Sequence, residues 1–355
     1  MGVFLLLVAI FLFVASRSSY VQTKLARGVA NFLSGELNAD ITIDKVYFRP
    51  LKTLDLQGFL VKDQRDDTLL YVGNLEVSAN SLNFRENRFD FDELRLENAI
   101  FHLEKIDTSG TTNLDFITSY LKREGSDTTS ANYLFSAESF VLSKSSFRFY
   151  SPFSTEETQG INYSDMYIRN IEGEFSDFVA GGDSVSAQME SLSFEEKSGF
   201  EVERMRSKLL LNNEGIRGGN LSLKTNNSDI QGSIALLHNS WDDYDDFLTS
   251  VKWDTEFSAS KISFKDLGYF VPELANVDLS PVLHGQINGP ISNLDGRSMI
   301  ILVGDGSVLR GDIDLTGLPD FENTFIDFRI SELQTGYSDI VKLGEDVSAR
   351  DEWTT

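Results

Sequence analysis

Leu94-Arg-Leu96-Glu-Asn-Ala-Ile-Phe101-His-Leu103 returns in the same form as Phe140-Val-Leu142-Ser-Lys-Ser-Ser-Phe147-Arg-Phe149. In both, apolar residues recur at every second position, pause, and resume. A shorter relative runs Leu54-x-Leu56 and then Phe59-x-Val61. Alternation with period two puts one face of a strand on a dry surface and the other in water. The polar gap, Glu97-Asn98 in one copy and Ser143 to Ser146 in the other, marks a reversal or a bulge. A chain that repeats this unit is expected to build a long, one-sided apolar sheet rather than a compact pocket.

Strand signals extend outward in both directions. Ile41-x-Ile43 and Val46-x-Phe48 precede the Leu54 to Val61 unit, and Gln64 to Asp67 makes a charged turn. Leu75-x-Val77-x-Ala79 and Leu82-x-Phe84 follow, with Arg85 to Arg88 as the next turn. Further on come Met189, Leu192-x-Phe194, Leu209-x-Leu211, Leu221-x-Leu223, Ile230 to Leu236, Val251 to Ala259 and Ile262-x-Phe264. Strands at spacings of about 8 to 12 residues indicate an all-β architecture. Two segments break the rhythm. Near 113–122, Asn113 with Leu114, Ile117 and Leu121 reads as a short capped helix that runs into the polar loop Gly125 to Ser130. Near 265–274, Leu267, Phe270, Val271 and Leu274 fit about two helical turns despite Pro272. Such inserts cap the end of an open sheet or, more plainly, serve as crossovers.

The front of the chain is different. Gly2 to Ala15 is an uncharged apolar run; with Met1 and the following Ser residues it reaches about 16 to 19 residues, near the lower limit for a bilayer span. Segment 1–16 is therefore read as a transmembrane anchor. A signal peptide normally carries Lys or Arg ahead of its apolar run, and none is present, so the anchor is expected to be truncated at its N-terminus. The basic residues Arg17, Lys24 and Arg27 would hold the body on the cytoplasmic side, and a basic leader would reverse that, so charge alone leaves orientation open. Segment 17–37 reads as an amphipathic helix with Val21, Leu25, Val29 and Phe32-Leu33 on one side and Gly35 as its stop. It either caps the sheet or lies at the membrane surface, with Arg17, Lys24 and Arg27 near anionic headgroups; the two roles are compatible. The repetitive β region is drawn as 38–355.

The 355 residues are 41% hydrophobic, enough for a substantial core, with 27 Phe, 3 His and no Cys. No disulfide, thiolate metal site or cysteine nucleophile is possible. Net charge is −24; residues 1–35 carry +3, leaving −27 for the rest. Such a body argues against nucleic acid, whose binding depends on basic contacts to phosphate, and keeps an extended β protein soluble.

Chemistry-bearing patterns are sparse. His102, His238 and His284 are scattered, and none has a His four residues on. His102 alternates with Phe101 and Leu103 and is expected on the exposed opposite face. No Gly-x-Ser-x-Gly elbow occurs, and Gly304-Asp-Gly306 lacks the third glycine of a dinucleotide site. Trp241-Asp-Asp-Tyr-Asp-Asp246 lacks the order and distal Glu of an EF-hand and reads as a solvated loop. The Asn-x-Ser sequons at Asn162, Asn220 and Asn226 carry little weight. No catalytic residue, metal site or cofactor is expected.

The order of parts carries a resemblance. Ile41-Thr-Ile43-Asp-Lys-Val46 followed by Leu54-Asp-Leu56-Gln-Gly58-Phe59 looks like the start of the AsmA-like proteins. Leu267-Gly-Tyr-Phe270-Val-Pro-Glu-Leu274, Leu283-His-Gly285-Gln-Ile-Asn-Gly289-Pro290 and Gly304-Asp-Gly-Ser307 leading to Gly317-Leu-Pro-Asp320 add to it. Together they resemble the amino-terminal part of the TamB-type translocation and assembly module family in its Bacteroidota-like form. The resemblance implies a single-pass inner-membrane anchor, a periplasmic body and an elongated β sheet rolled into an apolar groove. It also implies phospholipid movement between inner and outer membranes, outer-membrane protein assembly and secretion, and a TamA/BamA-type barrel partner. In that family the partner-binding region lies at the carboxyl end. The chain stops at Asp351-Glu-Trp-Thr-Thr without a closing element, so that region is expected to be missing.

A continuous apolar trough lowers the barrier for an acyl chain crossing water, by about 0.8 kcal/mol per methylene. The expected lining residues are Leu94, Leu96, Phe101, Leu103, Phe140, Leu142, Phe147 and Phe149, contacting phospholipid acyl chains by sliding, without a covalent step. The same residues would equally fill a closed sandwich core. The competing function is a secreted structural or adhesive β-repeat protein with a cleaved signal peptide; a periplasmic hydrolase rests only on the abundance of carboxylates.

Overall fold

The computed structural model describes residues 19–49, 53–83, 86–117, 119, 134–153, 159–304, 306–318, 320, 323–337 and 339. They are mostly strand, with a few short helices, and fall into two compact units. The first comprises described residues through 153 plus 163–182; the second comprises 159–162 and everything from 183 onward.

The first unit opens with helix α1 (Ser19–Leu37). Its buried contacts are Ala26 and Ala30, 1% and 6% exposed, one turn apart. These small residues let the helix approach strands β1 (Asp40–Thr42) and β2 (Lys45–Arg49), where Ile41, Ile43 and Val46 are buried. Phe32, expected on the apolar side, is 52% exposed instead, because the two alanines set the docking face one position away. The helix also runs past Gly35. Asn38 ends it in the left-handed conformation (φ 50°), and the Ala39 N–H donates to the Ser34 carbonyl at 3.3 Å, the closure of a Schellman motif.

Strands β3 (Thr53–Lys62), β4 (Thr68–Asn83), β5 (Arg88–Glu104), β6 (Leu134–Tyr150) and β7 (Asp165–Gly181) follow. The sheet order is β1-β3-β4-β5-β6-β7, and β2 also pairs with β3. All these pairings are antiparallel except β5 with β6. That parallel pair needs a crossover. The returning segment includes a Lys105–Thr112 bridge and helical residues 115–117. Leu114, Phe116 and Ile117 pack on the same core that α1 covers, so this insert both crosses over and caps.

The polar gaps are bulges, and β5 and β6 run straight through them. The apolar residues are even-numbered before the gap in β5 (Leu94, Leu96) and odd-numbered after it (Phe101, Leu103). Strict alternation would send the second pair to the wrong face; one extra residue restores it. The adjustment is made at Asn98 (φ 54°) in β5, Lys144 (φ 49°) in β6 and Asn170 (φ 53°) in β7.

The second unit is an antiparallel meander of β8 (Ser184–Glu196), β9 (Glu201–Asn212), β10 (Gly215–Thr225), β11 (Asp229–Leu237), β12 (Lys252–Lys261), β13 (Val282–Pro290), β14 (Asn293–Val303), β15 (Ser307–Thr316) and β16 (Phe325–Gln334), each paired with the next. Left-handed residues Asn220, Ala259 and Ser298 mark bulges in β10, β12 and β14. The strands between them place Gly232, Gly285 and Gly311 at that level, all with positive φ. A Cβ on Gly232 would lie 1.8 Å from the Glu256 carbonyl oxygen, so only glycine fits beside the neighbouring bulge. Bulges bend strands and raise twist, so this row creases the sheet along one line.

Helical pieces are short here: a 3-10 turn (Trp241–Asp246), α2 (Phe247–Ser250), α3 (Phe264–Leu267) and a second 3-10 turn (Pro272–Leu274). The two turns of helix expected over 265–274 are thus broken in the middle. Gly268 lies against Ala275, where a Cβ would be 2.3 Å from its Cα, and Pro272 restarts the chain as 3-10. Helix α3 is pinned by buried Asp266, which accepts hydrogen bonds from Thr225 Oγ1, Ser228 Oγ and Asn227 Nδ2 (2.5, 2.5 and 2.7 Å). Burial opposes ionisation of Asp266, but these donors outweigh it and hold its carboxyl below the usual range.

Among the described residues, no helix is long and apolar enough to cross a membrane. The Gly2 to Ala15 run, Arg17, Phe84, Arg85, Leu121, the Gly125 to Ser130 loop and Asp351 to Thr355 lie outside the described residues.

Candidate functional site

The first unit brings its apolar residues into rows that cross four or five strands. One row runs Val61, Leu70, Phe101, Phe147, Ile168. A second runs Leu56, Leu75, Leu96, Leu142, and a third Leu54, Val77, Leu94, Phe140, Phe175. The parallel register of β5 and β6 pairs Leu94 with Phe140, Leu96 with Leu142, Phe101 with Phe147, and Leu103 with Phe149. All eight predicted lining residues therefore share one face, as four opposed pairs. Aromatic contacts tie the rows together: Phe101–Phe147 and Phe140–Phe175 at 5.7 Å, Phe140–Phe178 at 5.5 Å and Phe89–Phe135 at 5.2 Å between ring centroids.

Burial divides this face. On β3 and β4, Leu56, Phe59, Val61 and Val72 are buried in the core beneath α1, each at most 8% exposed. The eight residues of β5 and β6 are all only partly buried. Toward its far end Phe135 reaches 41% exposure. The face is thus a dry core at one end and an apolar surface with partial cover at the other.

The opposite face is charged. Glu76 stands opposite Arg95, and Lys144 Nζ pairs with Glu97 at 2.7 Å. Arg148 Nε pairs with Asp165 at 2.9 Å. His102 lies opposite Arg148 in register, but it is half-buried rather than exposed. Burial, and then the Arg148 guanidinium, push its imidazole below the usual range, so it stays neutral near pH 7. Lys24 and Arg27 are exposed on α1.

A cavity of about 340 Å³ in this unit is lined partly by Asp63, Arg65, Ile106, Thr112, Asn113 and Phe116. Its polar groups engage one another. Arg65 donates two hydrogen bonds to Glu104 (3.1 and 2.6 Å), and Asn113 Nδ2 donates to the His102 carbonyl at 3.1 Å. The Asp63 carboxylate accepts from the N–H groups of Arg65 and Asp67. These contacts tie the crossover to the sheet. Among the described residues, no three His, Asp or Glu side chains converge to hold a metal ion.

One cluster escaped the sequence reading. The tract Trp241 to Asp246, expected as a solvated loop, is a 3-10 turn whose rings pack with His238 and Phe247, and Phe247 in turn packs with Trp253. His238 and Trp253 belong to different segments, and only the pairing of Leu236 with Trp253 across β11 and β12 brings them together. A His and a Trp flanking an aromatic turn between two strands was the available signal.

In comparisons with known proteins, the chain matches no protein-family model and no curated protein sequence.

Proposed function

We propose that this chain is a non-enzymatic conduit for phospholipid acyl chains, anchored in the inner membrane by segment 1–16 with its body in the periplasm. The observation that carries the reading is the set of apolar rows across β3 to β7, uninterrupted by charge and only partly covered on β5 and β6. At about 4.8 Å between strands, five strands give a track of roughly 19 Å per row. Each methylene shielded there is worth about 0.8 kcal/mol. Leu, Val and Phe offer no polar atom to trap a headgroup, so a chain can slide. The charged outer face keeps the track's other side in water. The AsmA-like resemblance supports the inner-membrane placement, transport between inner and outer membranes, and a role in outer-membrane protein assembly with a TamA/BamA-type barrel.

The test is transfer of a labelled phospholipid between donor and acceptor vesicles by the full chain. Leu94→Glu with Phe140→Glu puts two carboxylates on neighbouring strands of the track and is expected to abolish transfer with the circular dichroism spectrum unchanged. Arg95→Glu, on the outer face, is expected to leave transfer intact. Full transfer by the folded double variant would overturn the reading and favour a structural β-repeat protein.

A further inference from the structure

The β11–β12 connection gathers an aromatic cluster that the apolar track does not use. Ring centroids step from His238 to Tyr244 (5.3 Å), to Phe247 (6.0 Å) and to Trp253 (6.2 Å). Trp241 packs edge-on to His238 at 4.4 Å and stacks on Tyr244 at 5.6 Å. Three heteroatoms in this cluster are buried without a hydrogen-bond partner: His238 Nε2, Tyr244 Oη and Trp253 Nε1. Each such orphan is destabilising, because it gives up its hydrogen bond to water and gains none. Three together mark a place where something else completes the bonding.

The chemistry of the missing partner follows from His238. The residue is 8% exposed, and its Nδ1 lies 2.6 Å from the Ser240 carbonyl oxygen. A carbonyl only accepts, so Nδ1 carries a proton, and in that tautomer Nε2 is an acceptor. Its partner must donate. The indole of Trp241 is 49% exposed, and its π face beside that of Tyr244 attracts a cation. The same turn carries the acidic residues Asp243 and Asp246, and the whole chain is at −24, both unfavourable to a ligand of net negative charge. A protonated primary amine meets both demands, since it donates N–H bonds and is a cation. A trimethylated ammonium would satisfy the π faces but leave Nε2 bare. Trp253 Nε1 is itself a donor and suits an oxygen of a phosphate or ester joined to that amine. Trp253 and Leu236 stand opposed in register, in line with Thr255 and Ile234, so the cluster adjoins the apolar side chains of the second unit.

We propose that the His238–Trp241–Tyr244–Trp253 cluster binds the ethanolamine headgroup of a zwitterionic phospholipid, a specificity that rests on the lipid reading above. The experiment is to incubate the full chain with vesicles of equal parts phosphatidylethanolamine, phosphatidylcholine and phosphatidylglycerol, and to identify the captured lipid by mass spectrometry. Phosphatidylethanolamine is expected to be enriched roughly threefold over each of the others. Tyr244→Phe, which removes only a hydroxyl, and His238→Phe are expected to restore the vesicle proportions with total capture unchanged. Capture in vesicle proportions by the unaltered chain, equal enrichment of the choline lipid, or enrichment that survives both substitutions would overturn the headgroup assignment and leave the conduit reading standing. Absence of any captured lipid would contradict the conduit reading itself, and this proposal with it.

Discussion

Asn98 of β5 and Lys144 of β6 stand at the same level of two neighbouring parallel strands, and both adopt a left-handed backbone, at φ 54° and 49°. Between them the Ala99 N–H donates to the buried Ser145 Oγ at 3.3 Å. This shared bulge returns Phe101 and Phe147 to the apolar face on which Leu96 and Leu142 lie. A β-branched residue cannot hold that conformation easily, at about 1–2 kcal/mol per site. Asn98→Val and Lys144→Val are therefore expected to lose about that much stability in urea melts, and Asn98→Gly to lose much less. Lys144→Gly also removes the exposed pair with Glu97, which adds little. Valine variants as stable as the parent would show that the bulge is not needed.

The crease in the second unit depends on Gly232. With φ at 146° and the Glu256 carbonyl 1.8 Å from where a Cβ would lie, Gly232→Ala must push two strands apart. A loss of about 2 kcal/mol or more is expected. Gly219, next to the Asn220 bulge, has 3.9 Å of clearance, and Gly219→Ala is expected to stay within about 0.5 kcal/mol. Equal effects in thermal melts would contradict the packing described for this row.

Asp266 gives the second unit a pH signature. Its carboxyl is held below the ordinary aspartate range, so its contribution is fully present above the unfolded-state value and lost as pH falls through the lowered folded-state value. Acid below about pH 4 should therefore loosen α3 from the β10–β11 turn. Asp266→Asn leaves Thr225, Asn227 and Ser228 with a poorer acceptor and is expected to cost about 1–3 kcal/mol at neutral pH. The difference from the parent should shrink in acid. A difference independent of pH would show that the charge plays no part.

Partial cover of the track also has a stability consequence. Phe140 is half-buried, whereas Leu56 is 3% exposed in the core beneath α1. Leu56→Ala is expected to cost about 2–5 kcal/mol, as core truncations do. Phe140→Ala removes more carbon but is expected to cost less, on the order of 1–2 kcal/mol. A larger loss at Phe140 than at Leu56 would indicate a closed core.

The strand rhythm and the one-sided face were legible in the sequence, because period-two alternation in the repeated units directly encodes which residues share a side. Whether the polar gap was a reversal or a bulge was not, since that depends on a Lys taking a left-handed conformation that lysine rarely prefers. The docking face of α1 was legible only in part: Leu33 packs on the core as expected, and Phe32 does not. Helical spacing pointed to large residues such as Phe32, while close approach to β1 and β2 favours Ala26 and Ala30. The helix over 265–274 had the right apolar spacing, but contact between Gly268 and Ala275 breaks it, and no local pattern announces that contact. The aromatic cluster was obscured by its four aspartates, which read as solvated until strand pairing set Leu236 opposite Trp253 and drew the two ends of the connection together.

The most direct test of the conduit reading places photo-crosslinking residues at Leu96, Phe101 and Phe147 on the apolar face, with Arg95 and His102 on the opposite face as controls. Irradiation of the full chain after exposure to phospholipid vesicles is predicted to yield phospholipid adducts at the first three positions and none at the controls. Adducts at neither set, in folded protein, would contradict the account and make the face a closed structural core.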